Sequence, residues 1–284
     1  MTGTNGAQEP KLTRGTLAEM GQRLPHGRKL GDECRQDFGL KPASTRVEIA
    51  VGDVRANREH VGHSNRMLVY ALKECLASVG GRTIEEIAKP GGDIVVPTIA
   101  GLPFVDIITM LFYRQWKQRK RRVFTAETNT CPRCRQPIPA GTELDLGDMI
   151  VYYHEQWSTP PTITAEIEPQ KIPGLGEVKS LILKVPAWME SHFTLSDQDM
   201  RNDTRQKLAI VEGAVCGTDT KPVEAFVRPP KGYMIDLPPD TIDSLVVDVF
   251  GFAGGPVPML PAKCGRDGCS GAVDVPFSWR ETIS

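Results

Sequence analysis

The chain has 284 residues, with 34 Lys and Arg against 35 Asp and Glu, a net charge of -1 at pH 7 and 40% hydrophobic residues. Near-neutral charge argues against a protein that holds nucleic acid by bulk electrostatics, and the apolar share suffices for one large or two modest domains. The 27 glycines, 23 prolines and 6% aromatic content predict many turns and a core thin in rings.

Residues 1–45 are polar, mildly basic and punctuated by Gly and Pro, which reads as a flexible arm with one short helix near 16–23. No apolar run follows Met1, so no secretory signal is expected and the setting is intracellular and reducing. Alternation over 46–54 predicts a strand. A helix follows, capped by Ser64 or Asn65, with Leu68, Ala71, Leu72, Cys75, Leu76 and Val79 on one face and Gly80-Gly81 ending it.

The stretch 94–113 is nearly apolar and leads into a basic run, the outline of a membrane span. Pro97, Gly101, Pro103 and Asp106 break it, so a strand over 93–99 and a helix opening at Pro103 are expected, with no membrane association. That helix places Phe104, Ile107, Ile108, Leu111 and Phe112 on one face. Six Lys and Arg fall within 114–122, beside Trp116. They suit the negative end of a helix dipole, and a solvated helix end is favoured over a phosphate or acidic-protein contact.

A strand over 149–153 is expected next, then a loop over 158–173 with Pro160-Pro161 as the internal boundary. This divides the chain into the arm 1–45, a half over 46–157 and a half over 158–284. The second half should hold a strand over 178–185 and a helix from 196–199 to Cys216-Gly217, with Thr204, Leu208, Val211 and Val215 inward. A Pro-rich connection over 223–238 precedes a helix opened by Pro239 and Asp240, with Ile242, Leu245, Val246, Val249 and Phe250 on one face. Gly254-Gly255-Pro256 ends it. The halves share an order of helix, linker, cysteine pair and strand-like tail, without a residue-level repeat.

Those pairs are Cys131-Pro-Arg-Cys134 and Cys264-Gly-Arg-Asp-Gly-Cys269. Two short turns, each offering two soft thiolates, can close one tetrahedral site for a structural zinc. Such a site clamps mid-chain to the C-terminal region. A thioredoxin-like role for Cys131 and Cys134 would need a helix directly after them, which Pro137, Pro139 and Gly141 forbid. A zinc deaminase would need His-x-Glu with Pro-Cys-x-x-Cys, and the chain has no His-x-Glu. His60 and His63 form the one close histidine pair and are read as solvent-facing or capping. Cys75 is read as core, Cys216 as a helix end and Cys34 as part of the arm. Asp145, Asp148 and Glu155 look like surface acids, and no P-loop, nucleophile elbow or His-Glu-x-x-His is present. No catalytic residue is assigned. The expected fold class is α+β, amphipathic helices with small antiparallel strand pairs and a zinc-ribbon-like four-cysteine element.

The helix 102–113 leading through the basic run into Cys131-Pro-Arg-Cys134 and Leu144-Asp-Leu146, with Asp106 in its apolar face and the later Cys264 and Cys269 after Gly254-Gly255-Pro256, resembles the baseplate hub assembly proteins of T-even-type contractile-tailed phages and phage-like contractile injection particles. The resemblance is one of layout over about residues 90–155 and 195–280, and it carries no functional residue across. It implies a non-enzymatic assembly chaperone or structural component of a contractile tail, in the cytoplasm of the producing or infected cell or in the assembled particle. Its partners would be other tail or baseplate proteins rather than nucleic acid. The alternative is a zinc-ribbon module that binds nucleic acid or regulates, drawn from the basic run beside the first pair. An enzyme stabilised by its metal is the third reading.

Overall fold

The computed structural model describes residues 11–88, 94–157 and 159–277. It is an α+β protein of short helices and small sheets whose strand pairs are all antiparallel. The chain begins with β1 (Leu12–Thr16), α1 (Leu17–Met20), β2 (Arg23–Leu30) and β3 (Glu33–Leu40). Helices α2 (Thr45–Ala56) and α3 (Ser64–Cys75) follow, then β4 (Leu76–Val79), β5 (Arg82–Thr83) and α4 (Ile84–Ile87).

Next come α5 (Val95–Ala100) and α6 (Phe104–Lys117), and four two-residue strands: β6 (Val123–Phe124), β7 (Asn129–Thr130), β8 (Pro137–Ile138) and β9 (Glu143–Leu144). The remainder is β10 (Ile150–His154), β11 (Thr162–Ile172), β12 (Gly176–Lys184), α7 (Trp188–Ser191), α8 (Asp203–Ala214), β13 (Val215–Thr218), α9 (Pro239–Ala253), β14 (Gly255–Pro256), β15 (Met259–Lys263) and β16 (Ala272–Pro276).

The larger sheets run β2-β3-β4-β5, β1-β10-β14 and β11-β12-β13. In the second of these, β10 pairs on one edge with β1 from the start of the chain and on the other with β14 from near its end. One continuous buried cluster draws on both sides of residue 158, from Leu17 through Phe104, Phe112 and Trp188 to Leu245, Leu260 and Val275. Full burial of each such side chain contributes about 1.5–3 kcal/mol. Trp188, with no exposure, donates its indole N–H to the Asn65 carbonyl at 3.1 Å and stacks on His192 with ring centroids 4.5 Å apart.

Several expectations are corrected. The described part of the expected arm, residues 11–45, is structured. Along β3, Cys34, Gln36 and Phe38 turn inward on alternate positions, and β1 finds its partner far away in β10. The stretch 46–54 is helical, inside α2: the Ser44 hydroxyl accepts from the Val47 N–H at 3.3 Å and caps it, and only Val51 is buried. Its strand-like alternation did not mark a buried face.

Residues 95–100 form α5 rather than a strand, and residue 93 lies outside the described residues. The helix that follows Ser64 stops at Cys75, and Gly80-Gly81 makes the β4–β5 turn instead. Its first turn is capped at long range: the Asp197 carboxylate accepts from the Ser64 N–H at 2.8 Å. The loop expected over 158–173 is mostly the 11-residue β11, and residue 158 lies outside the described residues. Helix α8 ends at Ala214 with Thr204 exposed, and Val215 and Cys216 are in β13. Cys34 is buried in β3, and His60 is buried against the Tyr70 ring rather than facing solvent. Phe250 on α9 is half exposed. Among the described residues no helix is long and apolar enough to cross a membrane.

Candidate metal centre

Two hairpins carry the cysteine pairs. β7 and β8 close the first, placing Cys131 and Cys134 in the turn between them. The Arg135 N–H donates to the Cys131 carbonyl at 2.9 Å, and the Cys131 N–H to the Gln136 carbonyl at 2.9 Å. Arg135 sits at φ 58° to complete the knuckle, in the left-handed region that non-glycine residues seldom occupy. The second knuckle caps β15 and β16, where the Cys264 N–H donates to Gly271 at 2.8 Å and the Cys269 N–H to Arg266 at 3.0 Å. Gly268, at φ 74°, supplies the turn that its longer spacing needs.

The hairpins face each other. All four Sγ atoms lie within 4.8 Å of one another. The pairing is crossed: Cys131 Sγ is 3.8 Å from Cys269 Sγ, and Cys134 Sγ is 3.6 Å from Cys264 Sγ. Zinc–sulfur bonds of about 2.3 Å at tetrahedral angles put sulfurs about 3.8 Å apart, so the cluster has the dimensions of a four-thiolate site. Cys131 is fully buried and the other three are half-buried. Arg133 bonds across the knuckles to the Ser270 hydroxyl.

Gly271 is required at its position: a Cβ there would stand 2.5 Å from Cys131 Sγ and 3.0 Å from Arg133 Cβ. Its own N–H points at Cys269 Sγ at 3.4 Å, the kind of outer bond that fixes a ligand thiolate.

The sulfurs also share charge in a way that a cation completes. The Gln136 N–H, with hydrogen bonds from the neighbouring thiols, draws the Cys134 thiol down to about 7. At Cys264 the Arg266 N–H favours the thiolate, but burial and the surrounding sulfurs hold the thiol up to about 11. Four thiolates cannot ionise side by side without a compensating charge. The donor set is all sulfur, which selects a thiophilic ion and provides no open position among the four ligands.

All four cysteines singled out from the sequence are therefore brought together. The basic run is not one surface: Arg114 is buried and pairs with Glu48 at 2.7 Å, while Lys117, Arg119, Lys120, Arg121 and Arg122 are exposed.

A second polar node escaped the sequence reading. Asp106, fully buried in the first turn of α6, accepts from the His26 N–H and the Gly27 N–H, one on each oxygen, both at 2.8 Å. Gly27 is at φ 79°, and a Cβ there would meet the Arg35 carbonyl at 2.5 Å. The His26 ring lies edge-on to His154 with centroids 5.0 Å apart, and the Trp157 indole N–H donates to the His26 carbonyl at 2.9 Å. Burial raises the Asp106 carboxyl to about 7 against the pull of its two N–H donors. Burial, reinforced by His154, lowers His26 to about 3, and burial lowers His154 as well. The one signal in the sequence was a lone acid in an apolar helix.

Compared with protein-family models, with curated proteins and with solved structures, the chain gives no match in any of the three.

Proposed function

We propose that the protein is a non-enzymatic assembly or structural component of a contractile tail baseplate, working in the cytoplasm of the producing cell, with its scaffold clamped by one structural zinc. The observation that carries the architectural half of this reading is the closed four-sulfur cluster joining Cys131 and Cys134 to Cys264 and Cys269. A catalytic zinc keeps a ligand position for water or substrate, and four thiolates leave none. The tail half is supported by the resemblance in layout. Large apolar side chains left at the surface, Val227, Ile235 and Val247 among them, give partner proteins something to cover.

Metal analysis of the purified chain should find about one zinc per chain, lost in Cys131→Ser. A tagged chain in cells producing a contractile particle should co-purify with sheath, tube or baseplate proteins. A folded, zinc-free wild type would remove the clamp. Zinc without any tail protein would remove the assembly role and leave the clamp standing.

A further inference from the structure

From the groove beside the metal hairpins we infer a binding site for single-stranded nucleic acid, independent of the tail reading. The groove, about 540 Å³, runs between the end of α6 and the strand β9 with the residues after it. Its two walls differ in chemistry. One carries Trp116, Lys117, Lys120, Arg121 and Arg122; the other carries Glu143 and Asp145.

The cationic wall is built rather than trailing. Lys120 turns the chain at φ 47°, in the left-handed region. The Arg119 N–H donates to Arg114 at 3.2 Å and the Arg121 N–H to Gln115 at 3.0 Å, which tie the turn back onto the helix. Trp116 is wedged behind it: a Cβ on Gly147 would come within 2.7 Å of the indole. Lys117 Nζ lies 4.0 Å from that ring's centroid. Lys117, Lys120 and Arg121 have no carboxylate partner within ion-pair distance among the described residues. Arg122 meets Glu143 only at 3.6 Å, and both are well exposed, so a ligand can replace that pair at little cost.

The opposite wall decides the ligand class. Asp145 Oδ1 is taken by the Gly147 N–H at 2.8 Å, which leaves the other oxygen as an acceptor beside Glu143. A run of carboxylates would meet repulsion there. A nucleotide strand offers phosphates to the cations and base amino groups to the acceptors, as carboxylates read the cytosine amine. Phe124, half exposed, is the cross-strand partner of Glu143 and projects from the same face of the strand pair, so it supplies a stacking surface. Only an unpaired strand presents base faces and pairing edges together.

The test is fluorescence anisotropy of the zinc-loaded full chain with labelled oligodeoxycytidine about a dozen nucleotides long. Binding should weaken with salt at a log–log slope of about -2 to -3, three or four phosphates at about -0.7 each. The triple variant Lys120→Gln, Arg121→Gln, Arg122→Gln should lose about tenfold or more and flatten that slope. It alters only exposed side chains, and its zinc content reports that the fold is kept. Phe124→Ala should lose severalfold, and oligothymidine, lacking the amine, should bind more weakly than oligocytidine. The inference is overturned if the wild type shows no binding at about 50 mM salt, or if the triple variant binds equally. It is also overturned if a duplex or polyglutamate displaces the oligonucleotide as well as a single strand does; polyglutamate success would make the groove an acidic-protein contact. None of these results bears on co-purification with tail proteins.

Discussion

The cysteine cluster and the Asp106 node both fasten segments that are distant in sequence, by opposite means. Cys131 and Cys134 meet Cys264 and Cys269 through two hairpins of which one, β7–β8, has only two residues per strand. Asp106 meets His26 and Gly27 inside the core, through two backbone hydrogen bonds. With the ion proposed above, the first joint would depend on a partner that can leave. The second is closed by the burial of everything around it. A small ribbon with little apolar surface of its own would need a metal to hold it, whereas a helix already seated in the core needs only its polar groups satisfied.

That contrast can be broken from either side. Asp106→Ala should have the largest effect. It strands two buried N–H donors at about 1–3 kcal/mol each, a loss of about 2–6 kcal/mol in denaturant unfolding, with zinc content unchanged. A proportional loss of zinc would mean that the two joints are coupled. Chelation, or Cys131→Ser, should come next. At free zinc a thousandfold above its Kd the ion contributes about 4 kcal/mol, and hydrogen exchange should rise first over β15 and β16 while β2 stays protected. Gly271→Ala should be milder, weakening zinc about tenfold in competition with a chromophoric chelator by crowding Cys131 Sγ.

The smallest effect is the most diagnostic. His26 falls from 6.5 to about 3 on folding, so the folded chain binds fewer protons there, and that stability is lost as pH falls below 6.5. His154 acts in the same direction. Asp106 rises from 3.8 to about 7, so its contribution runs the other way and is lost as pH rises through that window. The His26 and Asp106 contributions nearly cancel between their pKa values, so His154 sets the sign and stability should climb as pH rises towards 6.5. His26→Gln, which leaves Asp106 opposed by His154 alone, should abolish or reverse that climb, and Asp106→Asn should steepen it. Identical slopes in the three proteins would mean that these groups do not govern the acid limb.

Much of the metal centre was legible because its signal is local. Cys-x-x-Cys and the glycines around Cys264 and Cys269 announce turns whatever the rest of the chain does. Helices α6 and α9 were legible for the same reason, with Pro103 and Pro239 at their starts and apolar faces at helical spacing. What hid was whatever a distant segment completes. Ser64 opens a helix whose cap is Asp197, β1 becomes a strand only beside β10, and Asp106 has a purpose only when β2 bulges over it. In 46–54, the residues alternate for reasons other than burial, and the helix there is set by the Ser44 cap.

The position of β10 between β1 and β14 has a consequence during synthesis. Strand β1 emerges from the ribosome early but must wait for Ile150–His154 before it has a neighbour. Cys131 and Cys134 then wait about as long for their own partners, Cys269 138 residues on and Cys264 130 residues on. Over these intervals the nascent chain carries first an open strand edge and then two uncommitted thiols. The same long closures that hold the finished protein together therefore make its birth the period in which oxidants and aggregation have most access to it.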